Sequence, residues 1–154
     1  MSSYPFTRRQ AAALVWAAFA VAPAARAAAR PTIAVVPVDV RPLLESSGEP
    51  TAGWVARALP GALAAALSGS GQSGPVSVRI DNVILGPNTG GVGPAGSSPD
   101  QMIGEVSRGG VTSPLRATSY YYPNPADNVM IEQSNHRRVV QLCQVFADWV
   151  ARGY

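Results

Sequence analysis

Apolar and polar residues alternate most regularly between Val76 and Leu85, where Val76, Val78, Ile80 and Ile84 fall on one side and Ser77, Arg79 and Asp81 on the other. This period of two predicts a half-buried strand. Asn82 interrupts the apolar side while Val83 and Leu85 add to the other, so the second half is expected to be covered on both faces or to carry a bulge. Thr32 to Val40 is a second, nearly continuous β-branched strand, in which Pro37 removes one ladder donor and favours an edge or a bulge. Arg41 to Pro50 is expected to be a loop. From Ala52 to Leu67 the period changes: Val55, Leu59, Leu63 and Leu67 recur every four residues beside Trp54, Ala58, Ala62 and Ala66. That spacing predicts a helix with Thr51 as its N-cap and a kink, not a stop, at Pro60 and Gly61, since the apolar register continues across them. Ser68 to Gly74 then reads as a flexible connector.

Strand, helix and strand in this order make a right-handed crossover unit, so the two strands should lie parallel in one sheet. Residues 87–99, rich in Gly, Pro and Ser, read as a mobile connection without a phosphate-loop pattern. Gln101 to Ser107 and Val111 to Tyr122 follow as a hairpin turning at Arg108-Gly109-Gly110. Met102, Gly104 and Val106 share one face of the first strand; Leu115, Ala117, Ser119 and Tyr121 share one face of the second, where Pro114 indicates an edge or a bend. After the turn Pro123 to Asp127, a helix is expected from about Asn128 to Arg152, ended by Gly153, with Ser134 or Asn135 placed to cap a fresh segment. Val139, Leu142, Cys143, Phe146, Trp149 and Val150 form its apolar stripe, and Arg138, Gln141, Gln144 and Asp148 are expected largely opposite. The fold class is therefore α+β: a two-layer sandwich in which a β-α-β unit precedes a β-hairpin and a C-terminal amphipathic helix on the same sheet face. With its valine-rich strand, helix and strand, the outline resembles the small α/β domains of envelope-assembly accessory proteins.

The N-terminus follows different rules. Arg8 and Arg9, the apolar run Ala11 to Val21, and the small residues after Pro23 have the three parts of an export signal, with cleavage expected near Ala27 or Ala29. Thr7-Arg8-Arg9-Gln10 resembles the twin-arginine motif, which implies export by the folded-protein pathway. The expected organisation is a signal peptide over 1–27, a single domain over 30–154 and a periplasmic or other extracytoplasmic location. The apolar run is shorter than the roughly 20 residues that span a bilayer, which argues against an uncleaved anchor.

Charge reinforces this division. All twelve basic residues are arginine, and without Arg8, Arg9 and Arg26 nine remain against nine acidic residues. With no net positive charge left in the domain and no basic patch or aromatic platform, nucleic acid is not an expected ligand. Cys143 is the single cysteine, so no intrachain disulfide forms, and its position far from the leader excludes a lipoprotein anchor.

Candidate chemistry is sparse. His136 and Cys143, each the only residue of its kind, lie seven apart on one predicted helix, about 10 Å of axial rise and too far for a thiol-imidazole pair. Glu132 and His136 make an i, i+4 pair, a candidate polar site, but two ligands are too few for a metal, and no cofactor motif is present. Tyr120, Tyr121 and Tyr122 are the candidate binding residues: alternation sends Tyr121 one way and its neighbours the other, and tyrosine suits interfaces. The expectation is an exported, non-catalytic interaction or accessory protein with an envelope protein partner. A small-ligand or glycan-binding domain and a hydrolase using His136 stand as alternatives.

Overall fold

A computed structural model describes residues 36–72, 74–87, 98–121 and 130–153. The leader, the start of the Thr32 strand, most of the 87–99 connection, Tyr122 and the turn after it lie outside the described residues. The elements are β1 (Val38–Asp39), α1 (Arg41–Ser47), α2 (Thr51–Ser70), β2 (Val76–Ile84), β3 (Asp100–Arg108), β4 (Val111–Ser119) and α3 (Ile131–Arg152). They form the expected α+β arrangement. The sheet order is β1-β2-β3-β4, with β1 parallel to β2 and the other pairs antiparallel.

Helices α2 and α3 pack side by side on one face of the sheet. Leu59 and Leu63 from α2, Ile80 and Met102 from the sheet, and Leu142 and Phe146 from α3 are fully buried between the layers. Burying each such side chain contributes about 1.5–3 kcal/mol, so this seam is the main source of stability in a chain without a disulfide. Cys143 belongs to the same core, and burial pushes its thiol up to about 12.

The segment expected to be a loop after β1 is helix α1. Asp39 explains it: its carboxylate accepts the Arg41 amide at 3.0 Å, satisfying one of the N–H groups a helix start leaves open. Pro42 stands in the first turn, where its missing N–H costs nothing, and Leu43 is buried completely. The Ser46 hydroxyl donates to the Asp81 carbonyl at 2.7 Å, and that of Ser47 lies 3.1 Å from Asn82 Oδ1 and 3.4 Å from the Val83 carbonyl. Beyond the two residues of β1, these serines take up β2 backbone groups and cover that side of the strand.

Thr51 is the first helical residue of α2, not its cap; the Glu49 carboxylate instead accepts the Gly53 amide at 3.2 Å. The helix runs through Pro60 and keeps Val55, Leu59, Leu63 and Leu67 on one buried line. It also absorbs Ser68 to Ser70, expected to be connector, before Gly71 ends it. In β2 a bulge between Ile80 and Asn82 shifts the alternation. Val83 therefore turns inward and Ile84 is 45% exposed, the reverse of the unbroken period.

The β3–β4 hairpin closes through Gly109 and Gly110, with φ of 56° and 84°, the positive values that a two-residue turn of this type requires. Met102, Gly104 and Val106 face the helices together with Leu115, Ala117 and Ser119, as the alternation predicts, and Pro114 lies on the edge strand. β4 ends at Ser119, before the tyrosines. α3 is one uninterrupted helix in which Ser134 and Asn135 cap nothing, and Ser134 is buried. Arg138, expected on the polar side, is buried as well. No helix among the described residues is long and apolar enough to cross a membrane.

Candidate functional site

Two polar assemblies stand out. The first is internal. Asp100 and Arg138 are 2% and 5% exposed and form a two-pronged ion pair: Arg138 Nε donates to Asp100 Oδ2 at 2.9 Å, and Nη2 donates to Oδ1. Nη2 also donates to the Gly86 carbonyl at 2.6 Å, and the Gly86 amide donates to Asp100 Oδ1 at 2.8 Å. The pair thus joins the end of β2, the start of β3 and the second turn of α3. Gly86 is required there, because a Cβ would stand 2.0 Å from the Ser98 carbonyl oxygen.

Tyr121 extends this assembly. The Arg138 guanidinium lies 5.4 Å from the centre of its ring, and the Ser134 hydroxyl is 3.4 Å from its phenol oxygen. Tyr121 is therefore turned toward α3, while Tyr120 is 50% exposed. Alternation separates the two as expected. Tyr122 lies outside the described residues.

The second assembly is the sheet face away from α2 and α3. The register orders its side chains in cross-strand rows. Ser77, Ser107 and Thr112 form one row, and the Ser107 and Thr112 hydroxyls are 2.6 Å apart. Asp39, Arg79, Glu105 and Pro114 form the next, with charges alternating across three strands. Arg79 Nε is 2.9 Å from Asp81 Oδ1 and its Nη1 3.6 Å from Glu105 Oε2, while Arg41 grips Asp39 through Nε at 2.9 Å and Nη2 at 2.6 Å. The Arg41 side-chain bonds, aided by its amide, hold the Asp39 carboxyl down at about 2. A groove of about 490 Å³ runs over these two rows. Farther along come Ile103 beside Arg116, then Ile84, Gln101 and Thr118.

The remaining candidates lie apart from both assemblies. His136 is exposed on α3, its ring centroid 5.3 Å from that of Trp54 at a tilt of 57°. No hydrogen bond or ion pair among the described residues joins it to Glu132, which is also exposed. Cys143 is seven residues farther along the same helix and fully buried, so it offers no nucleophile to His136. Among the described residues no group of three or more His, Cys, Asp or Glu is arranged to hold a metal ion.

Sequence reasoning missed the Asp100–Arg138 pair. Its signal was the phase of the pattern: Asp100 is in step with Met102, Gly104 and Val106, and Arg138 with Leu142, Phe146 and Val150. No protein family, characterised protein or solved structure matches this chain.

Proposed function

We propose that this chain is an exported, extracytoplasmic interaction module that engages an envelope protein through the uncovered side of its sheet and performs no catalysis of its own. The observation that carries the proposal is the division of the sheet into a face covered by α2 and α3 and a face that no helix covers among the described residues. One face holds the apolar seam under α2 and α3; the other presents ordered rows of hydroxyls and charges to its surroundings. Export is supported by the tripartite N-terminal pattern, and the absence of catalysis by the separation of His136 from Cys143 and from the charged rows. Tyr120, exposed where β4 ends, extends the surface at its far end.

A photo-crosslinking residue at Thr112 should capture one envelope protein in intact cells, while the same residue at Ala65, on the outer side of α2, should not. Equal capture from both positions, or none from either in a correctly exported protein, would reject the proposal. The groove over the Ser77 and Arg79 rows favours a second reading, binding of a small polyhydroxylated ligand such as a glycan. A rise in melting temperature with one sugar class, lost on Arg79→Ala, would select it. The hydrolase alternative requires a detectable activity that His136→Ala abolishes.

A further inference from the structure

We infer that the partner adds a strand to the free edge of β4 between Leu115 and Ser119, and that the added segment is acidic. This rests on the interaction reading above and specifies its chemistry.

The hairpin register fixes which backbone groups are free. Arg108 and Val111 flank a two-residue turn and so exchange both of their hydrogen bonds; from there, bonded and non-bonded pairs alternate. Val111, Ser113, Leu115, Ala117 and Ser119 consequently bond inward to β3. Thr112, Pro114, Arg116 and Thr118 point their backbone groups away from it, and no strand pairs with them among the described residues.

Pro114 has a carbonyl but no N–H to offer, which interrupts the edge in its first half. Arg116 and Thr118 each keep a complete donor and acceptor, spaced as an incoming strand requires. Their side chains are exposed on the uncovered face, and Tyr120 follows them.

Charge selects the occupant. Of the arginines on this face, Arg41 and Arg79 are engaged with carboxylates, whereas Arg116 has no ion-pair partner among the described residues, and Ile103 lies opposite it on β3. A strand added outside β4 places a side chain about 5 Å from Arg116, close enough for a carboxylate to pair with it. A second copy of this chain fits poorly, because twofold pairing over Arg116 and Thr118 sets the two Arg116 side chains opposite or diagonal to each other. The edge therefore suits an extended protein segment with Glu or Asp at alternate positions.

The probe is a heptapeptide alternating Glu and Val, with the Lys and Val counterpart as control. The acidic peptide should bind the full chain and slow hydrogen exchange at the Arg116 and Thr118 amides, with the basic one binding about tenfold more weakly or not at all. Arg116→Glu should reverse that preference. Thr118→Pro removes an outward donor without removing a β3–β4 bond, so it should weaken binding while the circular-dichroism melt stays unchanged; Thr118→Val should bind normally. Binding indifferent to Arg116→Glu and Thr118→Pro, or dimerisation of the free chain that Thr118→Pro abolishes, would overturn the inference. Crosslinking from Thr112 that persists undiminished in Thr118→Pro would overturn it too, while leaving the broader interaction reading in place.

Discussion

β3 begins and ends at an arginine clasp, and the two clasps use the same guanidinium in opposite ways. At its start Asp100 meets Arg138 from α3 in the dry interior, a formal charge against a formal charge. At its end, roughly 27 Å away at strand spacing, Arg108 reaches groups that carry no formal charge. Its Nη1 donates to Gln72 Oε1 and its Nη2 to the Val150 carbonyl at 2.7 Å, while Gln72 Nε2 donates to the Ala151 carbonyl at 2.8 Å. Those carbonyls belong to the last turn of α3, where orphan acceptors and the helix dipole both favour a cation. Arg108 is only half-buried overall, and its buried Nε has no partner among the described residues. The difference teaches that a buried cation needs an opposing charge, whereas a cation at a helix end needs only carbonyls and a route to water.

The largest test of that contrast is to break the buried pair on one side. Asp100→Ala leaves a guanidinium enclosed without its counter-charge and should cost about 3–5 kcal/mol in urea unfolding. Replacing both partners, Asp100→Leu with Arg138→Met, should recover most of the loss, because an apolar pair of similar volume removes the buried charges together. A double variant as unstable as the single one would mean that the hydrogen bonds to Gly86, not the opposed charges, hold this end. Gly86→Ala addresses that directly. Its Cβ meets the Ser98 backbone, so a loss of about 1–3 kcal/mol is expected, in the range of other overpacking changes. Arg108→Ala should cost less, about 1–2 kcal/mol, since water can reach the freed carbonyls of the last α3 turn. If it proves as damaging as Asp100→Ala, the distinction between the two clasps fails.

Periodicity carried most of the architecture. The four-residue line Val55 to Leu67, the inward faces of β3 and β4, and the stripe from Val139 to Val150 could be read directly, because each repeats long enough to outweigh local exceptions. Three features were hidden where a single residue opposed its surroundings. Arg138 was assigned by its charge rather than by its phase; polar side chains rarely lie inside unless paired, and the partner was 38 residues away. Helix α1 depends on one carboxylate, two residues upstream of Arg41, inside a stretch whose Pro and Gly content reads as loop. Ile84 was misplaced because a bulge adds one residue to a strand and inverts every position after it. For the candidate site the limit was different in kind. The Glu132 and His136 spacing was readable but brings no chemistry together, and the rows of the uncovered face exist only once the strand register is fixed.

The smallest expected effect sharpens the comparison furthest, because Asp39 and Arg41 repeat the two-pronged geometry of Asp100 and Arg138 in water. Arg41 is 86% exposed, so solvent and salt screen this pair as they cannot screen the buried one. The Asp39 carboxyl titrates at about 2 in the folded chain, held down first by the Arg41 side-chain bonds and then by the Arg41 amide. An unfolded aspartate titrates at about 3.9, so the folded state binds the proton less tightly. The contribution of Asp39 to stability is therefore complete above about pH 4 and is lost as pH falls through about 2. NMR titration should place the Asp39 midpoint well below the ordinary aspartate range, and Arg41→Ala should move it most of the way back. Molar salt should raise the midpoint in the parent chain, and the loss of stability on Asp39→Asn should shrink in the same salt. The loss on Asp100→Ala should not. Equal salt sensitivity of the two losses would show that water reaches both pairs, and that burial is not what separates them.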